Sequence, residues 1–309
     1  MDRVSGLRKL DYLSFTLKEY TSPYGVFDEL GTELIPVPYG RFGYRKMSLA
    51  RDGGISVMWD GAVKNMGVHV QISGKGCELV EHQESFDSWQ AWIDRWFGKG
   101  AKVSRIDLAI DDISGAIPFQ TVYDQVRSRT AVMRTRKGGH RLEWDAKHEY
   151  QTLYVGERKS DTLMRCYDKG LQLGGDTSWL RFEFEYKSKR ADAVAHLLVE
   201  KGWDAAIGAG RSFIEFKDPS HITSDRTRQR PADWWVDLLN ASKHVVRVER
   251  NQDTSLTKAY GWLRRQGAPV IATLIEHEGG DLSWIAELAK EGKARWKERH
   301  RKMLREGMN

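Results

Sequence analysis

Alternation of hydrophobic and polar residues dominates the first two thirds of the chain. Successive side chains of a β-strand point to opposite faces, so a period of two predicts strands with one buried face. Three segments alternate in this way, with an apolar face turned to a core and a polar face opposite it. They are Gly67–Ser73, Val103–Asp112 and Trp179–Lys187. A further strand is predicted over Leu10–Thr16.

Helical spacing of apolar residues appears between and after these strands. Ser85 begins a predicted helix with a stripe of tryptophans, and this stripe is typical of a helix packed on a core. A second helix is predicted over Ala191–Lys201. Strands and helices in this order predict an α+β fold, in which helices pack against an antiparallel sheet.

The glycines between Gly202 and Gly210 predict a domain boundary. The first predicted domain covers residues 1–205 and contains the sheet. The second covers residues 206–309 and is smaller, of α+β or mostly helical structure, with a DNA-binding or accessory role.

The end of the chain is rich in cations. Lys290–Asn309 contains eight Lys and Arg residues and three Asp and Glu residues, so most of the formal net charge of +6 lies in this tail. Cations such as Arg295 and Arg299 suit contact with nucleic acid phosphates. A solvated, charge-rich helix is the alternative interpretation.

Composition predicts a soluble globular protein, since 30% of the 309 residues are charged and 40% are hydrophobic. The apolar run Val270–Ile275 is far shorter than a membrane span, so no membrane association is expected. The first residues lack the apolar core of a signal peptide, and Cys77 and Cys166 do not make a disulfide framework. These features predict a cytoplasmic protein.

A predicted β-hairpin ends in a strand that carries a tyrosine between two cations. Arg165, Tyr167 and Lys169 fall on one side of this strand. The cations can bind a phosphate and favour the phenolate, whose formation is otherwise limited by a pKa of about 10. The pattern is typical of a tyrosine that attacks a phosphodiester, and a half-buried strand tyrosine is the structural alternative. Tyr154 and Tyr186 are the rival nucleophiles.

Carboxylates occupy the polar faces of the other predicted strands. If the strands are neighbours, these carboxylates meet the tyrosine and its cations on one surface. Carboxylate oxygens are the ligands that Mg²⁺ and Mn²⁺ prefer, and such an ion can polarise a phosphodiester. The leading candidate ligands are Asp107 and Glu183, followed by Asp111, Glu185 and His69. Cross-strand ion pairs, and an ordinary surface role for the histidine, are the structural alternatives.

Six segments, in order, resemble the replication initiation factor family of rolling-circle initiators. The segments lie at residues 10–15, 67–77, 105–112, 154–160, 165–170 and 180–185. The family includes plasmid initiators, filamentous-phage replication proteins and relaxases of integrative elements. Its nuclease domain is similar to the HUH (histidine-hydrophobe-histidine) endonuclease superfamily. This sequence lacks the two-histidine motif, and acidic residues stand in for it.

The resemblance implies a DNA nicking-joining enzyme whose nucleophile is Tyr167. With a Mg²⁺ or Mn²⁺ ion, the tyrosine would form a 5′-phosphotyrosyl link and release a 3′-hydroxyl for a polymerase. Arg165 and Lys169 would neutralise phosphate charge. Further candidate DNA contacts are Arg158, Lys159, Arg136 and Lys137.

The implied partners are origin DNA with a single-stranded or hairpin nick site, a host helicase and a host polymerase. Homodimerisation stays open. No phosphate-binding loop of an ATPase is visible, so a built-in helicase is not expected. Two other functions stay open: a relaxase that starts conjugative transfer, and a non-catalytic origin-binding regulator on the same scaffold.

Overall fold

The computed structural model describes residues 6–134, 139–146, 150–175, 179–221, 223, 225–240, 256, 259–260, 263–296 and 298–306. The chain divides into two compact units, Met1–Val245 and Val246–Asn309. The predicted boundary at residues 205 and 206 therefore falls inside the first unit.

One antiparallel sheet, with ten strands among the described residues, forms the frame of the first unit. Its strands are β1 (Gly6–Leu17), β2 (Leu34–Val37), β3 (Tyr44–Ala50), β4 (Ile55–Gly61), β5 (Val68–Ser73), β6 (Ala101–Asp112), β8 (His140–Asp145), β9 (Tyr150–Val155), β10 (Thr162–Asp168) and β11 (Leu180–Lys187). The order across the sheet is β2-β3-β4-β5-β1-β6-β11-β10-β9-β8. Two short strands, β7 (Val132–Met133) and β12 (Ile214–Glu215), pair separately.

Seven α-helices of the first unit lie within its described residues. They are α1 (Tyr24–Leu30), α2 (Gly74–Glu81), α3 (Trp89–Gly98), α4 (Phe119–Arg127), α5 (Lys169–Gln172), α6 (Ser188–Arg211) and α7 (Asp233–Asn240). A short 3₁₀-helix covers Arg226–Arg228. Helices α3, α6 and α7 pack against the centre of the sheet, which confirms the predicted α+β fold.

The core lies between these helices and the apolar faces of the central strands. Ile106, Leu108 and Ile110 of β6 are fully buried. Phe182 of β11 is also fully buried, and Phe184 is 1% exposed. These are the side chains that alternation assigned to the core. The opposite face of the same strands is polar.

Helix α3 begins at Trp89, later than the predicted start at Ser85. The cap is Ser88, whose hydroxyl accepts a hydrogen bond from the Ala91 N–H at 3.2 Å. The tryptophan stripe packs on the core as predicted, with the ring of Trp96 4.8 Å from that of Phe15.

Helix α6 is longer than predicted and bends at Gly202, whose φ of 78° lies in the left-handed region that glycine tolerates. The chain then returns to the core. In α7 the fully buried ring of Trp235 lies 5.6 Å from Phe182 of β11. Residues after the glycine-rich segment therefore belong to the first unit. The glycine at position 202 bends a helix and does not separate two domains.

The central strand β1 carries a β-bulge. Leu10 pairs with Leu108 and Tyr12 with Asp107, so Asp11 is an extra residue. A bulge interrupts the alternation of faces. Between buried Leu10 and Leu13, Asp11 and Tyr12 therefore both lie on the polar side of the sheet.

The second unit is helical in its described residues. A π-helical turn (Leu263–Gly267) precedes α8 (Ala268–His277), α9 (Ser283–Ala294) and α10 (Glu298–Glu306). This matches the predicted mostly helical C-terminal region. None of the helices in the described part of the chain combines the length and hydropathy needed to span a bilayer.

Candidate active site

Three neighbouring strands bring the predicted chemistry together. Strand β11 lies between β6 and β10, and its register places Glu185 opposite Asp107 and Glu183 opposite Arg165. One step along the strands, Arg181 lies opposite both Asp111 and Tyr167. Side chains that are up to 78 residues apart in sequence therefore share one face.

Arg165 lies at the centre of this face and contacts three carboxylates. Its Nη2 donates to Asp107 Oδ2 at 3.2 Å and makes a close ion pair with Glu183, and Glu185 Oε2 lies 3.8 Å away. The predicted role of Arg165 was to neutralise a DNA phosphate. In this structure its charge is directed at the carboxylates, and 25% of its side chain stays exposed.

Arg105 completes this cluster on the β6 side. Its guanidinium donates two hydrogen bonds to Asp107, at 2.9 and 2.6 Å, and pairs with Glu185 Oε2 at 2.7 Å. Lys187 pairs with the other oxygen of Glu185 at 2.5 Å. We call Arg105, Arg165, Asp107, Glu183 and Glu185 the open cluster, because its arginines are partly exposed.

Tyr167 contacts the open cluster through its hydroxyl, which donates to Glu183 Oε2 at 3.1 Å. The side chain is buried, with 5% exposed. Burial, reinforced by the charge of Glu183, raises the pKa of Tyr167 above its ordinary value. This direction is the reverse of the predicted lowering by neighbouring cations.

Burial also raises the pKa of Glu183, to about 8, although Arg165 opposes the shift. Burial likewise raises the pKa of Asp107 against the effect of its two arginines. Both carboxyl groups thus lie in a poorly solvated position, where the neutral acid is more stable relative to the carboxylate than it is in water. Perturbed carboxylates of this kind are concentrated at functional sites.

Lys169 does not belong to the strand, contrary to prediction. Strand β10 ends at Asp168, whose carboxylate accepts the Leu171 N–H at 2.8 Å and caps α5. The Lys169 ammonium lies 5.7 Å from the centroid of the Tyr167 ring and donates to Gln172 Oε1 at 2.6 Å. Burial and the nearby charge of Arg181 lower the pKa of Lys169.

A second group of charges adjoins the open cluster. Arg181 donates two hydrogen bonds to Asp111, at 2.7 and 2.8 Å, and a third to Asp11 at 2.5 Å. Arg181 is 2% exposed and Asp111 is fully buried. We call these three residues the closed cluster. Both oxygens of Asp111, a weaker candidate ligand, are engaged here by Arg181.

Asp11 was missed as a site residue by the sequence analysis. Its burial opposes ionisation, but Arg181 and Lys169 outweigh this and lower the pKa of Asp11. A bulge cannot be located from alternation alone. The available signal was the resemblance of residues 10–15 to the replication initiation factor family.

His69 is not part of either cluster. It lies on β5, opposite Thr16 of β1, whereas Asp107 lies opposite Tyr12 at another point of β1. Its Nδ1 is 2.8 Å from the Thr16 hydroxyl, and its ring stacks on Tyr44 at 6.1 Å. Burial lowers the pKa of His69 to about 4, so the ring is neutral near pH 7.

No group of three or more His, Cys, Asp and Glu residues is arranged as a metal site within the described part of the chain. Three carboxylates nevertheless converge on one cationic group, the Nη2 of Arg165. Such oxygens are the donors that Mg²⁺ and Mn²⁺ prefer. The open cluster therefore holds donors of the type that a hard cation prefers, while the guanidinium of Arg165 occupies the position between them.

The rival tyrosines have different surroundings. Tyr186 is fully buried beside Phe184 on the apolar face of β11. Tyr154 faces Arg141 and Arg158, whose guanidinium carbons lie 4.5 and 5.7 Å from its ring centroid. Tyr154 lies opposite Arg165 in the pairing of β9 with β10, but its hydroxyl is hydrogen-bonded to Glu143, whereas the Tyr167 hydroxyl reaches Glu183 of the open cluster.

The predicted DNA contacts are only partly described. Arg158 and Lys159 are exposed in the turn between β9 and β10. Arg295 is exposed at the end of α9, 3.5 Å from Glu291. Arg136 and Lys137 lie outside the described residues, as does the side chain of Arg299 in α10.

The fold and this polar face define a class of protein: an α+β unit whose central antiparallel sheet presents carboxylates, arginines and a tyrosine together. Residues 101–288 match the replication initiation factor family, and the chain belongs to this family. The family resemblance noted in the sequence is thereby confirmed.

Two relatives agree with this assignment. A Bacillus subtilis (strain 168) protein assigned as a DNA relaxase, NicK, is 25% identical over 277 residues, covering 81% of this chain and 75% of its own length. A solved structure, the rolling circle replication initiator protein from Geobacillus stearothermophilus, is 25% identical with a TM-score of 0.67. That match covers 76% of this chain and 96% of the solved one. Together these findings support a rolling-circle initiator or nickase.

Proposed function

We propose that this protein starts rolling-circle replication by nicking and rejoining one strand of origin DNA, with Tyr167 as the nucleophile. The observation that carries the proposal is the hydrogen bond from the Tyr167 hydroxyl to Glu183 within the open cluster. A phenol, carboxylates and arginines meet there on the sheet face of a replication initiation factor. The nicking activity would reside in the first unit, and a DNA-binding or accessory role in the second.

The proposed reaction is a transesterification. The Tyr167 oxygen bonds to the scissile phosphorus as the bond to the 3′ oxygen breaks, which leaves a 5′-phosphotyrosyl link and a 3′-hydroxyl. Glu183 orients the phenol through the hydrogen bond that it accepts. Since burial raises the pKa of Tyr167, the resting side chain is a neutral phenol, and in the overall reaction it loses a proton while the 3′ oxygen gains one.

Dependence on Mg²⁺ or Mn²⁺ is part of the proposal. Asp107, Glu183 and Glu185 would hold the ion, since their oxygens already converge on a cation. When bound, such an ion supplies Lewis-acid polarisation of a phosphate oxygen. Arg165 would then exchange carboxylate contacts for the phosphate contact predicted from the sequence, and exposed Arg158 and Lys159 would add positive charge along the strand.

The proposed partners are origin DNA, a host helicase and a host polymerase, in a cytoplasmic setting. A homodimer is a further proposal, because a two-fold symmetric dimer can bind two half-sites of a DNA sequence. Size-exclusion chromatography with light scattering, with and without origin DNA, measures the assembly directly.

The test is a nicking assay on supercoiled DNA that carries the candidate origin, with Mg²⁺ or Mn²⁺. Wild-type protein should convert it to the open circle and become covalently attached, and Tyr167→Phe should do neither. Tyr150→Phe is a matched control, since that ring lies 6.2 Å from Tyr167. Mass spectrometry of the trapped peptide names the nucleophile. Equal nicking by Tyr167→Phe would show that the assignment is wrong.

A relaxase that starts conjugative transfer is a second candidate, favoured by the similarity to the Bacillus subtilis relative. Both functions begin with the same nick. Transfer frequency and copy number of a plasmid carrying the cognate site, measured with wild type and Tyr167→Phe, separate them. Binding without cleavage of any cognate site would instead favour a non-catalytic origin-binding regulator.

A further inference from the structure

An open groove of about 490 Å³ lies at one end of the central strands, apart from both charge clusters. It is bounded by the ends of β1 and β6, the segment before β5 and the first turn of α6. Three lysines line it: Lys18, Lys102 and Lys189. Tyr44 and Met66 provide an apolar wall. We call this the lysine groove.

The charge of the lysine groove is unbalanced. All three lysines are exposed, and none of them has a carboxylate within ion-pair distance among the described residues. One carboxylate, that of Asp192, lines the groove, and its Oδ1 accepts the backbone N–H of Val103 at 2.9 Å. Three cations and one anion leave an excess of two positive charges in the groove, and such an excess suits a polyanion.

The backbone around the lysine groove is unusual. Asn65 and Ser188, two of its lining residues, have φ values of 67° and 55°. Non-glycine residues rarely adopt this left-handed conformation, and such positions are concentrated at ligand sites. Both residues present polar side chains, so the turns that close the groove also add hydrogen-bonding groups to it.

The lysine groove continues the polar face of the sheet. The pairing of β1 with β6 skips Ser104, so Ser104 and Arg105 both lie on this face between buried Val103 and Ile106. The face thus runs from Asp107 past Arg105 to Lys102. Five residues of strand span about 16 Å at roughly 3.3 Å per residue, a distance of a few nucleotides.

We propose that the lysine groove binds phosphates of the cleaved single strand, a few nucleotides from the bond that is cut. This inference rests on the proposed function, since it assumes that DNA crosses the polar face. The buried Tyr44 and the partly exposed Met66 close one side of the groove, while Lys18, Lys102 and Lys189 would contact backbone phosphates along it. Single-strand binding sites use positively charged grooves of this kind to follow the backbone.

The test compares two triple variants of the full chain in fluorescence-anisotropy titrations with oligothymidine across a salt series. One variant changes the lysine groove (K18Q, K102Q, K189Q). The matched control removes the same charge elsewhere in the first unit (K46Q, K99Q, K201Q). Each phosphate contact contributes about −0.7 to the slope of log K against log salt for single strands, so the groove variant should lose roughly 2 from this slope.

The outcomes separate the two proposals. If wild-type protein fails to bind the oligonucleotide, the proposed function itself is contradicted. If it binds and the groove variant keeps the wild-type slope, or loses no more than the control, only the lysine groove is wrong. Loss of duplex binding with unchanged single-strand binding would also overturn it. Circular dichroism melting of both variants verifies that they are folded.

Discussion

Two arginine–carboxylate clusters lie side by side on one face of the sheet, and they differ in how completely they are sealed. In the closed cluster, Arg181 is 2% exposed and donates three hydrogen bonds, two to Asp111 and one to Asp11. In the open cluster, the side chains of Arg105 and Arg165 are 30% and 25% exposed. The arginines of the two clusters thus differ in their access to water, although the Asp11 side chain of the closed cluster is itself 22% exposed.

The difference indicates different roles. A buried ion pair whose guanidinium donates three hydrogen bonds stabilises the register of its strands, and removing one partner leaves an uncompensated buried charge. A cluster that reaches solvent can exchange its cations for others at much smaller cost. We therefore assign the closed cluster to holding β1, β6 and β11 together, and the open cluster to chemistry.

The largest effect on stability should follow from Arg181→Met, because it leaves the buried Asp111 without a counter-ion. We expect a loss of about 3–5 kcal/mol in the free energy of unfolding, measured by urea denaturation. Arg51→Met is the control, since it removes an exposed ion pair with Glu33 and should cost less than about 1 kcal/mol. Equal losses for the two variants would remove the distinction between a sealed and a surface pair.

A second prediction concerns the pH dependence of stability. The pKa of Glu183 is raised from its model-peptide value near 4.5 to about 8, so the folded state binds a proton more tightly than the unfolded state. The resulting stabilisation is complete below about pH 4.5 and is lost as pH rises through about 8. It amounts to a few kcal/mol at most, since one pKa unit corresponds to about 1.4 kcal/mol.

Glu183→Gln mimics the neutral acid and should remove this loss between pH 4.5 and 8. Urea unfolding at several pH values measures the effect as the difference between variant and wild type. Glu33→Gln, at an exposed position, serves as the control and should leave the profile unchanged. A Glu183→Gln profile parallel to that of wild type would show that Glu183 titrates normally.

The smallest stability change of the three should come from Asp107→Asn. Arg105 and Arg165 can turn to water when their shared carboxylate is lost, so we expect a cost of about 1–3 kcal/mol. Nicking should nevertheless fall by about 10²-fold or more, with DNA binding largely retained. Asp60→Asn, which alters an exposed pair with Arg45, controls for the substitution. A loss of stability as large as that of Arg181→Met would make the open cluster structural too.

Much of the site was predictable because alternation specifies faces. The polar sides of β6, β10 and β11 were assigned correctly, so Asp107, Glu183 and Tyr167 were expected on one surface if their strands were adjacent. Which strands are neighbours depends on pairing between distant segments of the chain. The alternation of residues within one strand carries no information about that pairing. Only the ordered family resemblance pointed to it before the structure did.

The parts that could not be predicted have local physical causes. Asp11 reaches Arg181 because a bulge breaks the alternation in β1. Lys169 leaves the strand because Asp168 caps a helix. The pairing of Arg181 with Asp111, and of Arg165 with Asp107 and Glu183, follows from strand register. From the sequence alone, the two arginines could form ion pairs with the carboxylates in many different combinations.

The position of β6 has a consequence for synthesis of the chain. Strand β6 lies between β1, which precedes it in the chain, and β11, which follows it and ends at Lys187. Long-range antiparallel pairing is slow, because distant segments must close a large loop before contacts form. The charged face can therefore be completed only after Lys187 has left the ribosome. Helix α6, which packs on β6, also follows Lys187, so the nascent chain exposes apolar surface of β6 until α6 is made.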